Sequence, residues 1–335
     1  MRDRMMQVAS VAFALLLLTL ACIVCRQSSS NSDLQVREIA FSPNGEFVAF
    51  FGLLNGKPAI PVYDARTKKA LIVLERPYRA GDLAFPENGD RLVCCGEREI
   101  VYWNTKNWEV VKRVQLSAPP ETIRVKLSPD GRTVAFEEGL RSSTVKLWDA
   151  LDQADLFSIT LGGASIGHAA FSPDGKLIAV ISVERIPGKV VDLRTRQVAF
   201  ELVPAGNDLG MDTTIFSGDG ARLAVGERID CSISIWNIGL RKREKVLHGH
   251  EVPVDCLAFS PDGKLLASGS STPGELKVWN VNEEKEVFSV TFDVDRAVSC
   301  LAFSPDGKTL AYGLVGRPTG ALEFLNVEDL SKGQK

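Results

Sequence analysis

One short segment, Phe-Ser-Pro-Asp-Gly in its fullest form, recurs along most of this 335-residue chain. Copies begin at Phe41, Phe85, Leu127, Phe171, Phe216, Phe259 and Phe303, at intervals of 44, 42, 44, 45, 43 and 44 residues. A period of that size marks one supersecondary unit copied and stacked on itself. It overrides the two domains that length alone suggests. The segment has turn chemistry: Ser at the first corner, Pro to preset the next angle, and Gly where other residues resist the backbone. Each copy therefore predicts a tight hairpin between two strands.

The strand after each turn carries two apolar columns. One reads Val48, Leu92, Val134, Ile178, Leu223, Leu266 and Leu310; its neighbour reads Ala49, Val93, Ala135, Ala179, Ala224, Ala267 and Ala311. Consecutive apolar residues in a short strand predict burial of both faces, and a column of alanines predicts a close neighbour. A third strand ends at Tyr63-Asp64, Trp103-Asn104, Trp148-Asp149, Val191-Asp192, Trp236-Asn237, Trp279-Asn280 and Leu325-Asn326. A fourth follows most of these, as in Ala70 to Leu74, Val110 to Leu116 and Glu286 to Phe292. The expected fold is all-β: a seven-bladed β-propeller of four-stranded antiparallel blades, whose radial closure removes most sheet edges.

The unit from Gly249-His250 through Phe259 to Trp279-Asn280 resembles a WD repeat (WD40), and the resemblance covers about 300 residues. It implies a structural role for Gly249, His250 and Trp279, and for Trp148-Asp149, the one intact Trp-Asp pair. It also implies a His–Ser–Asp–Trp hydrogen-bonded brace. Blade six supplies His250, Ser268 or Ser270, and Trp279, but reads Ser271-Thr272-Pro273-Gly274 where the Asp is expected. Gly167-His168 is a second candidate Gly-His pair. The family closes its ring with an amino-terminal strand, which falls on Gln27 to Leu34; the alternative is a three-stranded seventh blade.

Ahead of the repeats stand Arg2 and Arg4, an uncharged run from Val8 to Cys25, and a polar stretch from Gln27 to Asp33. This is the outline of a signal or anchor segment, long enough for a tilted span. Leu18-Thr19-Leu20-Ala21-Cys22 resembles the bacterial lipobox, which implies lipidation of Cys22 and a membrane held by acyl chains. The domain reading is 1–25 signal peptide or anchor, 26–35 polar tether or closing strand, and 36–335 propeller. The expected location is membrane-anchored and extracytoplasmic, in the periplasm or envelope, with the cytoplasmic face of a membrane as the alternative.

The chemistry is sparse. A net charge of −3 argues against a nucleic-acid partner bound by bulk charge. Gly163-Ala164-Ser165-Ile166-Gly167 matches the nucleophile-elbow spacing, but an elbow needs a strand–turn–helix, and here it joins blades three and four. Of three histidines, His248 and His250 lack a partner at ligand spacing. Cys94, Cys95, Cys231, Cys256 and Cys300 are odd in number and read as small buried hydrophobes. The inner strands read as apolar, with Asp255 among few charged exceptions. No catalytic residue, cofactor or metal is expected.

Two charge patterns remain. Arg98, Arg141, Arg185, Arg228 and Arg317 recur in the loops between second and third strands, a rim whose guanidinium forks suit carboxylates. Arg241-Lys242-Arg243 with Lys245 reads as a basic loop in blade five. The functional expectation is a non-catalytic protein-interaction scaffold at a membrane surface, its partners other proteins or peptides, acidic ones where the arginine rim is the contact. The alternative is an extracytoplasmic propeller that binds or hydrolyses a small ligand at the central channel, as propeller lactonases and hydrolases do. Blade one also resembles the periplasmic propeller of the Tol envelope system, another binding protein.

Overall fold

The computed structural model describes residues 35–54, 57–75, 80–96, 98–116, 125–137, 142–204, 210–271, 273–316 and 320–330. The amino-terminal segment with Cys22, the tether with its closing strand, Arg141 and Arg317 lie outside them. The described residues form 27 strands, β1 to β27 in chain order. They make six four-stranded antiparallel sheets and, among the described residues, a seventh of three strands. The innermost strands are β1 (Gln35–Phe41), β5 (Ala80–Ala84), β9 (Val125–Leu127), β13 (Ile166–Phe171), β17 (Met211–Phe216), β21 (Val254–Phe259) and β25 (Arg296–Phe303). Each packs on the next, and β25 packs back on β1, closing a ring of seven blades.

The hairpin turns form as the sequence predicts. The glycine of every copy sits at φ between +64° and +70°, a region only glycine occupies at little cost. In six copies the serine Oγ accepts the backbone N–H five residues on, at 2.8–2.9 Å. The same hydroxyl donates to the Asp or Asn two residues on, as Ser260 does to Asp262 at 2.7 Å. That bond is the first cause holding Asp174, Asp219, Asp262 and Asp306 below the ordinary carboxylate value. Blade two has Pro86 at the serine position and lacks the bond.

The residue ending each third strand caps the following turn. Asp64 Oδ1 accepts Thr67 N at 2.6 Å, Asn104 Oδ1 accepts Lys106 N at 2.8 Å, and Asn237 Oδ1 accepts Leu240 N at 2.9 Å. An acceptor is needed there and a charge is not, which is why Asp and Asn alternate.

The two apolar columns lie on opposite faces of each blade. The Leu/Ile/Val column is fully buried, and the alanine column is at most 2% exposed. Ala49 meets Leu92 of the next blade, Ala135 meets Ile178, and Ala224 meets Leu266. Small side chains opposite large ones let the sheets interdigitate. Burying each large one stabilises the fold by about 1.5–3 kcal/mol. There are seven such layers, one per blade boundary. The closing layer joins Val36, Val48 and Phe50 of blade one to Cys300 and Ala311 of blade seven. Ser299 Oγ donates to Val36 O across the same boundary, at 2.5 Å.

Candidate functional site

The channel is more polar than the sequence suggests, which corrects the apolar reading of the inner strands. Glu38 on β1, Asp82 on β5 and Lys126 on β9 meet there. Lys126 Nζ lies 3.6 Å from Glu38 Oε2 and 3.4 Å from Asp82 Oδ1. Asp82 Oδ2 also accepts Leu127 N at 2.7 Å. Burial raises Glu38 to about 7, against the lowering pull of Lys126. Burial lowers the Lys126 ammonium, but Asp82 and Glu38 outweigh it and hold the group charged. A cleft of about 190 Å3 opens beside this cluster, lined by Glu137, His168, Phe136 and Val145 among others. It lies next to β9, which at three residues is the shortest inner strand.

A bulge interrupts inner-strand pairing at Arg37, Gly81, Gly167, Asp212, Asp255 and Ser299. An extra residue re-aims its neighbours. It explains why strict alternation missed Glu38 and Asp82, each directly after its bulge. Gly167-His168 belongs to this bulge, inside β13, and is not an equivalent of Gly249-His250, which precede β21. The elbow spacing fails for the same reason: Gly163 to Ser165 are loop, and Ile166 and Gly167 begin a strand.

Blade six holds a complete brace, and its fourth member comes from an unexpected place. His250 Nε2 lies 2.6 Å from Ser268 Oγ, and Trp279 Nε1 donates to the same hydroxyl at 2.8 Å. Glu275 Oε2, at the start of the third strand, lies 2.8 Å from His250 Nδ1. Glu275 thus supplies the carboxylate that the Ser271–Gly274 turn lacks. His250 is held below the ordinary value of 6.5, burial outweighing the attraction of Glu275. Trp148 is buried, and Asp149 Oδ2 pairs with Arg132 Nε at 2.7 Å.

Strands alternate in direction, so the glycine turns and the turns between third and fourth strands share one rim. On this turn-side rim Arg194 and Arg196 stand on blade four, and Arg241, Lys242 and Arg243 on blade five. Lys242, Arg243 and Lys245 lie in β20 (Lys242–Leu247), not in a loop. None of the five forms an ion pair among the described residues, although Arg241 donates to Ala199 O at 3.3 Å. Arg196 lies over Phe157 and Arg243 over Trp236.

A groove of about 270 Å3 opens on this rim between blades three and four. It is lined by Leu147, Leu156, Phe157, Leu193, Arg194 and Arg196, with Thr133, Gly175 and Lys176. On the opposite rim Arg228 pairs with Asp212 at 3.5 Å, and Arg98 and Arg185 take part in polar interactions of their own.

The five cysteines of the propeller are free thiols. Burial pushes Cys95, Cys256 and Cys300 up. Cys231 and Cys256 depart from the buried expectation: both are partly exposed, and Cys231 stands in a loop at φ +54°. Among the described residues no group of three or more His, Cys, Asp or Glu is placed to hold a metal ion. No helix among them is long and apolar enough to cross a membrane.

The model of the family described as WD domain, G-beta repeat (WD40) matches residues 241–280 and 285–314. Each match begins at or near the outer strand of one blade and runs into the next, so the sequence repeat ties neighbouring blades together. The fold is similar to a chain in the structure of Kuenenia stuttgartiensis hydrazine synthase. The TM-score is 0.71 over 90% of this chain and 99% of that one, at 16% identity. At that identity the likeness is one of fold. No curated protein sequence matches the chain.

Proposed function

Because the chain is a WD-repeat β-propeller, we propose that it works as a non-catalytic protein-interaction scaffold, presented at a membrane by its amino-terminal segment. The observation that carries the reading is the turn-side rim of blades three to five. Five cations without ion-pair partners among the described residues stand there beside an apolar groove. Arg194, Arg196 and Arg241 stand in tight turns and Lys242 and Arg243 on β20, so their backbone positions are set before a partner arrives. Photo-cross-linking residues at Arg194 and Lys242 of the full chain, expressed in a bacterium, test this. The reading expects protein adducts on both; a rim that yields none would sink it.

The membrane part of the proposal rests on the Val8–Cys25 run and on Cys22, where a small residue precedes the cysteine. Mass spectrometry of the mature amino terminus, beside Cys22→Ala, tests it. A lipid-modified Cys22 places the propeller outside the cytoplasm. An intact Met1 in both proteins removes the lipid anchor and leaves the apolar run as the attachment.

A second reading has its own support. Glu38, Asp82 and Lys126 at the channel, with the adjoining cleft, suit a small polar ligand. Thermal-shift screening of the full chain against small amines and carboxylic acids, with Glu38→Gln alongside, tests it. A stabilising compound whose effect Glu38→Gln removes would favour the channel over the rim.

A further inference from the structure

We propose that the groove between blades three and four binds an acidic peptide segment of a partner protein through one bulky apolar side chain, which takes the place of an indole the propeller lacks there. The inference rests on the scaffold reading and names its site and the chemistry of its partner.

The third strands end in a column of large residues: Tyr63, Trp103, Trp148, Trp236, Trp279 and Leu325 in six blades, and Val191 in blade four. Where the tryptophan is present it fills the layer to the preceding blade. Between blades four and five, Trp236 stacks with Phe200 of the preceding outer strand, their centroids 6.3 Å apart. Phe157 is the counterpart of Phe200 one blade earlier. It pairs with Leu147 as Phe200 pairs with Val190. Its own partner across the layer would be the residue at 191. Valine is shorter than tryptophan and is buried in the same layer without reaching the groove wall, and the 270 Å3 groove opens in that layer between Phe157 and Leu193.

The charges around the groove select the occupant. The carboxylates of blade three are already engaged: Asp149 and Asp152 with Arg132, at 2.7 and 2.8 Å, and Asp155 with Lys146 at 2.7 Å. Asp174 holds Lys176 at 3.0 Å. Arg194 and Arg196 are exposed on the opposite lip without an ion pair among the described residues, although Arg194 also attracts Asp192, whose carboxylate is held mainly by the Thr195 N–H; Arg241, Lys242 and Arg243 extend the same sign toward blade five. Arg196 lies 5.6 Å over the Phe157 ring, so a cation and an aromatic face already border the opening. An aromatic side chain seated there meets Leu156, Phe157 and Leu193, and its flanking carboxylates meet guanidinium forks. A concave slot of this kind favours a peptide over a flat anionic membrane, which would touch the cations and leave the slot empty.

The test is fluorescence anisotropy on the full chain with three labelled peptides. One is aspartate and glutamate around a single central tryptophan, one replaces the tryptophan by serine, and one replaces the acids by serine. The variant Arg194→Glu/Arg196→Asn removes the lip charges, asparagine being suited to the φ of +60° at position 196. Arg98→Glu/Arg185→Glu on the opposite rim is the control. The proposal expects the acidic tryptophan peptide to bind, and either peptide change or the Arg194/Arg196 variant to weaken binding by about tenfold or more. The opposite-rim control should leave it unchanged. Val191→Trp, if it folds to the same circular dichroism spectrum, should abolish binding by filling the slot.

Binding that ignores Arg194/Arg196 and Val191→Trp would overturn the groove while leaving the scaffold reading standing. No binding by any peptide overturns the groove; the cross-linking result then decides the scaffold reading separately. If vesicles containing phosphatidylserine, and not the peptide, bind through Arg194 and Arg196, the surface is a membrane contact and the proposal fails.

Discussion

Blades five and six are neighbours with the same strand order and the same terminal Trp-Asn pair, yet their tryptophans are held differently. In blade six, Trp279 donates to Ser268 at 2.8 Å, and that hydroxyl is tied through His250 to Glu275. In blade five the matching residue of the second strand is Val225. Ser268 opposes Leu257 as Val225 opposes Thr214. Trp236 Nε1 finds no acceptor among the described residues, and its ring instead lies under the Arg243 guanidinium. Both blades bury their columns fully. The brace is therefore an addition to a ring that apolar stacking closes. Where it is absent, the outer layer is free to carry surface cations.

Breaking blade six should show the largest effect. His250→Ala removes the ring that links a buried carboxylate to a buried hydroxyl and leaves both without it. The expected cost is about 3 kcal/mol, read as a lower urea midpoint with an unchanged slope. Ser268→Val turns blade six into blade five and leaves two ring nitrogens without their partner at once, the Trp279 Nε1–H that donates to this hydroxyl and the His250 Nε2 beside it. About 2 kcal/mol is expected by the same measurement. Trp236→Phe in blade five has no such bond to lose and should cost at most about 1 kcal/mol; a loss as large as that of Trp279→Phe would erase the contrast.

Titration sharpens the comparison with smaller effects. His250 is held below 6.5, so the unfolded chain takes up a proton that the fold refuses. Stability should fall as pH drops through 6.5, and His250→Gln should flatten that slope. Glu38 behaves in the opposite sense. Its carboxyl is raised from 4.5 to about 7, so its contribution is complete below 4.5 and lost as pH rises through 7. Denaturant midpoints of Glu38→Gln across that range should lose this decline. Because the His250 slope opposes it in the same window, the comparison is with the variant: a Glu38→Gln profile parallel to that of the wild type would contradict the channel geometry.

Much of the fold was legible because it repeats. The turn motif, the two columns and the Asp/Asn caps are local demands made once per blade, and their period is plain in the sequence. The functional features depend on breaks in the period. Glu38 and Asp82 reach the channel after a bulge, and Lys126 reaches it from an offset position on a shorter strand, so no single column displays all three. Glu275 completes the brace because its longer side chain reaches His250 from the third strand; a search for Asp in the preceding turn passes over it. Val191 was visible in the tryptophan column. Its consequence was not, because a void depends on what the preceding blade places opposite, here Phe157. The basic residues of blade five read as an ordinary loop, and Arg194 and Arg196 of blade four carry no sequence signal of their own, until the blade-three carboxylates are seen to be engaged elsewhere.

The central claim is that binding occurs on the turn-side rim of blades three to five, and neither in the channel nor on the opposite rim. Hydrogen–deuterium exchange of the full chain, with and without the acidic tryptophan peptide, tests it most directly. Protection is predicted at Ala154–Thr160, at Leu193–Val198 and at Arg241–Lys245, with the inner strands and the loops around Arg98 and Arg185 unchanged. Protection centred on Glu38, Gly81 and His168, or on the opposite rim, would contradict the account.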